Sequence, residues 1–184
     1  MILLIIILVL SYFFYPKKKY IEHFEDSGHY ISIKDLYINY SDKQYGGQKY
    51  NGILRKSKEQ KFKITLGEHG YQISPVGQDN LLMSINRYNG ILQYNNYVGF
   101  VNKKNLDLKD PISRNNLRST YWKIEKLPDS DTYQISSSKY PSYFLILGDT
   151  LYFNTKCKVD GVVKFSNKQM GNWKIEPPLV DWFY

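Results

Sequence analysis

The chain has 184 residues, with 25 Lys and Arg against 17 Asp and Glu, a net charge of +8. One cysteine, Cys157, excludes a disulfide framework within the chain, so cysteine usage gives no argument for an oxidising compartment. The 157 residues after position 27 suffice for one domain with a sizeable core, and 18 tyrosines mean that this core and its rim must satisfy many phenol hydroxyls.

The chain opens with "MILLIIILVLSYFFY", 15 residues without a charged side chain, followed at once by Pro16 and Lys17, Lys18 and Lys19. As a helix this run spans about 22 Å, short of a hydrocarbon core of about 30 Å. The lysine stems can snorkel, and Tyr12, Phe13, Phe14 and Tyr15 suit an interfacial belt. A cleaved signal peptide has a basic start and small residues at its cleavage site. Here no Lys or Arg precedes position 17, and bulky aromatics stand where small residues are needed. A buried core helix is a third reading, opposed by the apolar character of every face. The expectation is an uncleaved hydrophobic helix, residues 1–19, anchoring the chain to the bilayer. Lysines favour the cytoplasmic side, so a single pass would leave the N-terminus outside or luminal and the rest cytoplasmic. Residues 20–28, with Glu22, Glu25 and Asp26, form a polar linker.

Beyond the linker, short words recur in a fixed order. "FKI" (62–64), "YQIS" (71–74), "LLMSI" (81–85) and "NGIL" (89–92) are followed by "WKI" (122–124), "YQIS" (133–136), "YFLIL" (143–147) and "DTLYF" (149–153). "HYIS" (29–32), "LYINY" (36–40) and "NGIL" (51–54) precede them as a copy without its opening word, and a final "WKIE" (173–176) supplies that word at the C-terminus. Aromatic and β-branched residues alternate with polar ones at period two, and turn residues such as Gly67, Gly70, Pro75, Gly77 and Pro128 separate the words. No apolar period of 3.6 is sustained, so the body is all-β. A repeated unit of this length cannot bury its apolar face alone and must pack against its copies; a plain β-sandwich is the alternative.

Three repeats of four strands resemble the β-trefoil family, in its ricin-B-like and fascin-like architectures, over residues 29–178, with 179–184 as a C-terminal tail. The resemblance implies a six-stranded barrel capped by three hairpins, with Phe62, Trp122 and Trp173 in equivalent places. The apolar start, lysine run and linker also resemble small membrane proteins of large DNA viruses of protists and algae, which implies a virion or infected-cell membrane.

Nothing in the chain has the spacing of a catalytic or metal site, and the expectation is a non-enzymatic binding or structural module without cofactor. The histidines, His23, His29 and His69, match no zinc motif and are expected to be solvated. Cys157 lies between Lys156 and Lys158, which favour its thiolate, but no histidine is near in sequence to act as base. Asp129 and Asp131 sit in a turn, where Asp serves the backbone. Ricin-type lectins, the alternative class, carry Gln-x-Trp in each repeat. The matching triplets are Gln60-Lys61-Phe62, Thr120-Tyr121-Trp122 and Gly171-Asn172-Trp173, so the motif is degenerate and the family basis for a glycan site is lost.

The excess positive charge gathers in two segments. Residues 55–63 hold Arg55, Lys56, Lys58, Lys61 and Lys63 against Glu59; residues 102–118 hold Lys103, Lys104, Lys109, Arg114 and Arg118 against Asp107 and Asp110. The second is the longest insertion between words and is expected to be a surface loop. Lys56, Lys58, Lys61, Lys103, Lys104, Arg114 and Arg118 are the candidate contacts to an acidic protein or anionic lipid surface. Nucleic acid is disfavoured because the interleaved aromatics, Phe62 and Tyr121, belong to the core words.

Overall fold

The computed structural model describes residues 28–41, 51–85, 98–106, 117–148, 161–168 and 170–179. The hydrophobic run 1–19, its flanking Lys17, Lys18 and Lys19, His23, Arg114 and Cys157 lie outside these residues. Among the described residues, no helix is long and apolar enough to cross a membrane.

The described chain is all-β, with twelve strands: β1 (Tyr30–Ile33), β2 (Leu36–Ser41), β3 (Asn51–Arg55), β4 (Phe62–Gly67), β5 (Gly70–Pro75), β6 (Leu81–Ile85), β7 (Val98–Asn102), β8 (Trp122–Lys126), β9 (Thr132–Ser137), β10 (Phe144–Gly148), β11 (Gly161–Ser166) and β12 (Trp173–Glu176). Every pairing is antiparallel, and each kind of pairing recurs. β4 pairs β5, β8 pairs β9, and β12 pairs β1 across the chain ends. β5 then pairs β8, β9 pairs β12, and an isolated bridge His29↔Phe62 joins the β1 end to β4. These six strands therefore form a closed ring. β2–β3, β6–β7 and β10–β11 form hairpins, and β3 contacts both β7 and β11.

The register explains the repeated words. Ile64 faces Ile73, Ile124 faces Ile135, and Ile175 faces Ile31. Phe62, Trp122 and Trp173 each precede that isoleucine by two positions on their strands, and all three are fully buried. The indole Nε1 of Trp122 donates to Met83 O, and that of Trp173 to Leu145 O, each at 3.0 Å. Phe62 has no donor and instead stacks on Phe100, with centroids 6.0 Å apart. The C-terminal "WKIE" does complete the first copy, through the β12–β1 pairing.

Two word assignments change. The partner of "LLMSI" is Val98–Asn102, not "NGIL" at 89–92, and the partner of the third hairpin's first strand is Gly161–Ser166, not "DTLYF". The fourth strand of those units comes later because an insertion separates the hairpin arms, whereas β2 and β3 lie closer in sequence. Residues 86–97 and 149–160 lie outside the described residues.

Gly70 sets one close approach. Its φ is +122°, and a Cβ there would stand 2.7 Å from both Trp122 O and Ser138 Oγ. Glycine adopts this backbone without a steric cost, so the β4–β5 turn lies directly against β8. Gly70→Ala should destabilise the fold. Trp122→Ala should cost about 3–5 kcal/mol, the range for a buried aromatic with a residual cavity. Trp122→Phe, which copies the Phe62 solution, should cost less. Urea unfolding midpoints at constant m-value measure all three.

Candidate binding face

The segment joining β3 to β4 is held by its own polar groups. Ser57 Oγ donates to Glu59 Oε1 at 2.6 Å, and Arg55 Nη1 donates to Glu59 Oε2 at 3.1 Å. Gln60 Nε2 donates to Lys61 O at 2.7 Å, so the glutamine of the degenerate Gln-x-Trp position braces the backbone. Lys58 Nζ lies 2.8 Å from Glu176 Oε2, which ties this segment to the last strand. Two of the basic side chains are therefore neutralised on the spot, and the segment presents less charge than its composition indicates.

Behind Lys58 stand two rings. Tyr30 and Tyr37 meet edge to face, centroids 6.3 Å apart at 81°. Lys58 Nζ lies 5.4 Å from the Tyr30 centroid and 5.0 Å from that of Tyr37, and Lys61 Nζ lies 5.5 Å from Tyr30. All are within cation–π range. The Lys58 pKa is held above the ordinary lysine value, first by the hydrogen bond to Glu176 and then by one to Tyr37. Glu59 is held below the ordinary carboxyl value, first by the Ser57 hydroxyl, against the opposing effect of desolvation and with Arg55 adding to the lowering.

The second basic segment reaches the same region through one turn. Val76 N donates to Lys61 O at 2.9 Å, and Lys103 N donates to Asn80 O at 2.7 Å, so the 75–80 turn is flanked by both segments. Lys103 and Lys104 are exposed on a 3-10 turn, Lys103–Asn105, whose cap is Asn102: its side chain accepts from Lys104 N at 2.9 Å. Arg118 is exposed elsewhere. Its neighbour Ser119 accepts from Ile85 N at the far end of β6, whereas Asn80 precedes the near end. Four residue steps of β6 separate the two ends by about 14 Å. The structure thus places Lys61 and Lys103 on either side of the 75–80 turn, directs Lys58 to Glu176, leaves Lys56 exposed on the segment between β3 and β4, and sets Arg118 at the other end of β6.

His29 is a correction: it is buried, 2% exposed, and its Nδ1–H donates to Pro177 O at 2.7 Å. It occupies the register of Tyr71 and Tyr133, which pair with Trp122 and Trp173 as His29 pairs with Phe62, so it is a ring in a core row. His69 is exposed and lies edge-on to Tyr121, 5.4 Å between centroids. Asp129 has φ +54°, as a turn aspartate can, and Asp131 pairs with Lys174 at 3.3 Å. The 126–131 turn carries an open concavity without a nucleophile–base pair. No group of three or more metal-capable side chains occurs among the described residues.

Tyr30, Tyr37 and Glu176 were not candidates by sequence. Their one signal was that "HYIS" puts Tyr30 where both "YQIS" words have glutamine.

No family model and no curated protein matches the chain. Solved structures do. The lysenin pore matches with TM-score 0.54 and 14% identity over 80% of this chain and 44% of that one. Lysenin in complex with phosphocholine matches with TM-score 0.52 and 13% identity, covering 85% and 45%. A mosquitocidal holotoxin matches with TM-score 0.52 and 22% identity, covering 84% and 18%. The chain shares its all-β fold with part of each. It spans less than half the length of these proteins, and at such identities the likeness is one of fold.

Glu59 offers a direct check of the local electrostatics. Its folded pKa is lowered, so its contribution to stability is present above the unfolded pKa and is lost as pH falls through the folded one. In a carboxyl-detected NMR titration Glu59 should titrate below an ordinary glutamate, and Ser57→Ala should move it back up.

Proposed function

We propose that the chain is a β-trefoil binding module without enzymatic activity, held at a membrane by residues 1–19, whose basic face meets the phosphates of lipid headgroups. The threefold recurrence of the strand pairings supports the trefoil, because each of its unit-to-unit contacts has two counterparts. The observation that carries the binding reading is the convergence of two basic segments on the 75–80 turn, Lys61 on one side and Lys103 on the other. Lysine ammoniums are compact point charges suited to phosphate. The lysenin neighbour in complex with phosphocholine offers a precedent for such a ligand on a similar fold. The linker of about nine residues reaches about 15–18 Å if flexible, so a domain so anchored stays beside its bilayer.

A lectin-like role has less support at this face. The Gln-x-Trp triplets are degenerate, and Gln60 at this face donates to Lys61 O instead.

The orientation of the anchor needs a different reporter from glycosylation. Asn39-Tyr40-Ser41 is the only Asn-x-Ser/Thr sequon. Asn39 is 3% exposed and its Nδ2 donates to Tyr37 O at 3.1 Å, so the folded domain has no room for a glycan there. Protease protection of a C-terminal tag in sealed membranes should show the domain on the cytoplasmic side; digestion of the tag from the luminal side reverses the assignment.

Residues 28–184, first shown to unfold in one cooperative step, should co-sediment with anionic vesicles. Binding should weaken as salt rises from 0.1 M to 1 M and the Debye length falls from about 10 Å to about 3 Å. Lys103→Glu with Lys104→Glu should weaken it further at unchanged unfolding midpoint, since exposed loop substitutions change stability by about 0.5 kcal/mol or less. Arg118→Glu should have a smaller effect, because it sits at the other end of β6. Binding indifferent to salt and to these charges removes the proposal.

A further inference from the structure

One ammonium group, that of Lys58, sits in a corner made of two aromatic rings and a carboxylate. Tyr30 and Tyr37 stand nearly perpendicular as two walls. Lys58 Nζ is 5.4 and 5.0 Å from their centroids and 2.8 Å from Glu176 Oε2. Tyr30 and Glu176 are cross-strand partners, so β1 and β12 fix ring and carboxylate against one another.

The fold does not require this arrangement. In the other units the register of Tyr30 holds Gln72 and Gln134, and the residues facing these are Thr65 and Glu125. Phe144 pairs with Ser136 as Tyr37 pairs with Ser32. Gln72 donates to Thr120 Oγ1 at 3.1 Å, Gln134 donates to Met170 Sδ, and Glu125 pairs with Lys123 at 2.6 Å. At the Tyr30 register those units therefore carry neutral side chains, Gln72 and Gln134. The first unit combines two rings, a carboxylate and a cation, which is the chemistry of alkylammonium recognition; Lys139 against Tyr140, itself edge to face with Tyr143, is a second lysine–ring contact.

The occupant is easily released. The Lys58 and Glu176 side chains are 46% and 41% exposed. Ion pairs this open contribute little, and a freed lysine regains its rotamers. Lys61, 5.5 Å from the Tyr30 centroid, borders the corner with a second positive charge.

We infer that Tyr30, Tyr37 and Glu176 form a binding site for an alkylammonium group, and that Lys58 is an internal placeholder which the ligand displaces. The ligand's cation takes the place of Nζ against the rings and the Glu176 carboxylate. Displaced Lys58, together with Lys61, then faces any anionic group carried beside that cation, so the site favours a zwitterion over a bare cation. This goes beyond the headgroup-phosphate reading, which needs only the lysines, and the two fail separately.

The test uses the full chain in maltoside micelles, titrated with tetramethylammonium chloride and with soluble phosphocholine, and read by calorimetry and by the tyrosine ring signals in NMR. Lys58→Ala removes the placeholder. It should bind tetramethylammonium about tenfold tighter than the unaltered chain, as expected where the competent state is populated about one part in ten. Adding Tyr37→Leu to Lys58→Ala should abolish that gain. The unaltered chain should prefer phosphocholine to tetramethylammonium. Phosphatidylcholine vesicles that compete for the site assign it to a lipid headgroup; a site that ignores them but keeps phosphocholine takes a soluble ammonium compound. Lys58→Gln repeats the comparison should the alanine variant lose its dispersed NMR spectrum. Equal tetramethylammonium affinity in the unaltered chain and in a folded Lys58 variant, or no binding in either, overturns the inference.

Discussion

The pairing of the last strand with the first is the contact on which the rest depends. β12 lies antiparallel to β1, with Ile175 against Ile31 and Glu176 against Tyr30. Nearly the whole described chain separates these partners, so the contact carries a large loop-closure cost that only burial can offset. Trp173 supplies that burial, fully enclosed and hydrogen-bonded to Leu145 O. Together with the His29↔Phe62 bridge it closes the ring of six strands, and a closed ring leaves those strands without a free edge. His29 joins the same closure from its side chain, through Pro177 O just past β12.

The same contact creates the candidate site. Glu176 reaches Lys58 only because β12 lies beside β1, and Tyr30 is the cross-strand partner that supplies one ring. Inward positions of the three units must fill one interior, and they vary little: Phe62, Trp122 and Trp173 at one level, then Ile64, Ile124 and Ile175. Outward positions carry no such obligation. Tyr30, Gln72 and Gln134 share a register yet make an aromatic–cation contact, a bond to a threonine hydroxyl and a contact to a thioether. A scaffold repeated inside and individual outside is the setting in which one unit can carry a site.

Charge tells a similar story. A run with five basic residues and one glutamate looks like an open cationic patch, but Glu59 faces Arg55 and the distant Glu176 faces Lys58. The lysines of the 3-10 turn after β7 stand exposed on a capped backbone. Where a partner's field is felt therefore depends on ion pairs formed between strands far apart in the chain, which net charge does not register.

By itself, the sequence determined the all-β class, the fixed order of the short strands and the burial of Phe62, Trp122 and Trp173. Those properties rest on alternation at period two and on one aromatic-x-Ile word spelled three times, which are local. It also told that the final "WKIE" belongs with the first "HYIS", because a copy lacked its opening strand. Only the tertiary structure decided which segments complete the second and third hairpins, because insertions carry the pairing strands past the nearest matching words. It decided that His29 is a core ring and not a solvated one, since its register partner Phe62 lies 33 positions away. It also decided which basic residues gather and which do not. Lys61 and Lys103 flank one turn while Arg118 stands at the other end of β6, and Tyr30, Tyr37, Lys58 and Glu176 meet from three separate stretches of chain. Such contacts are set by strand register around a closed ring, and register depends on partners that no local pattern names.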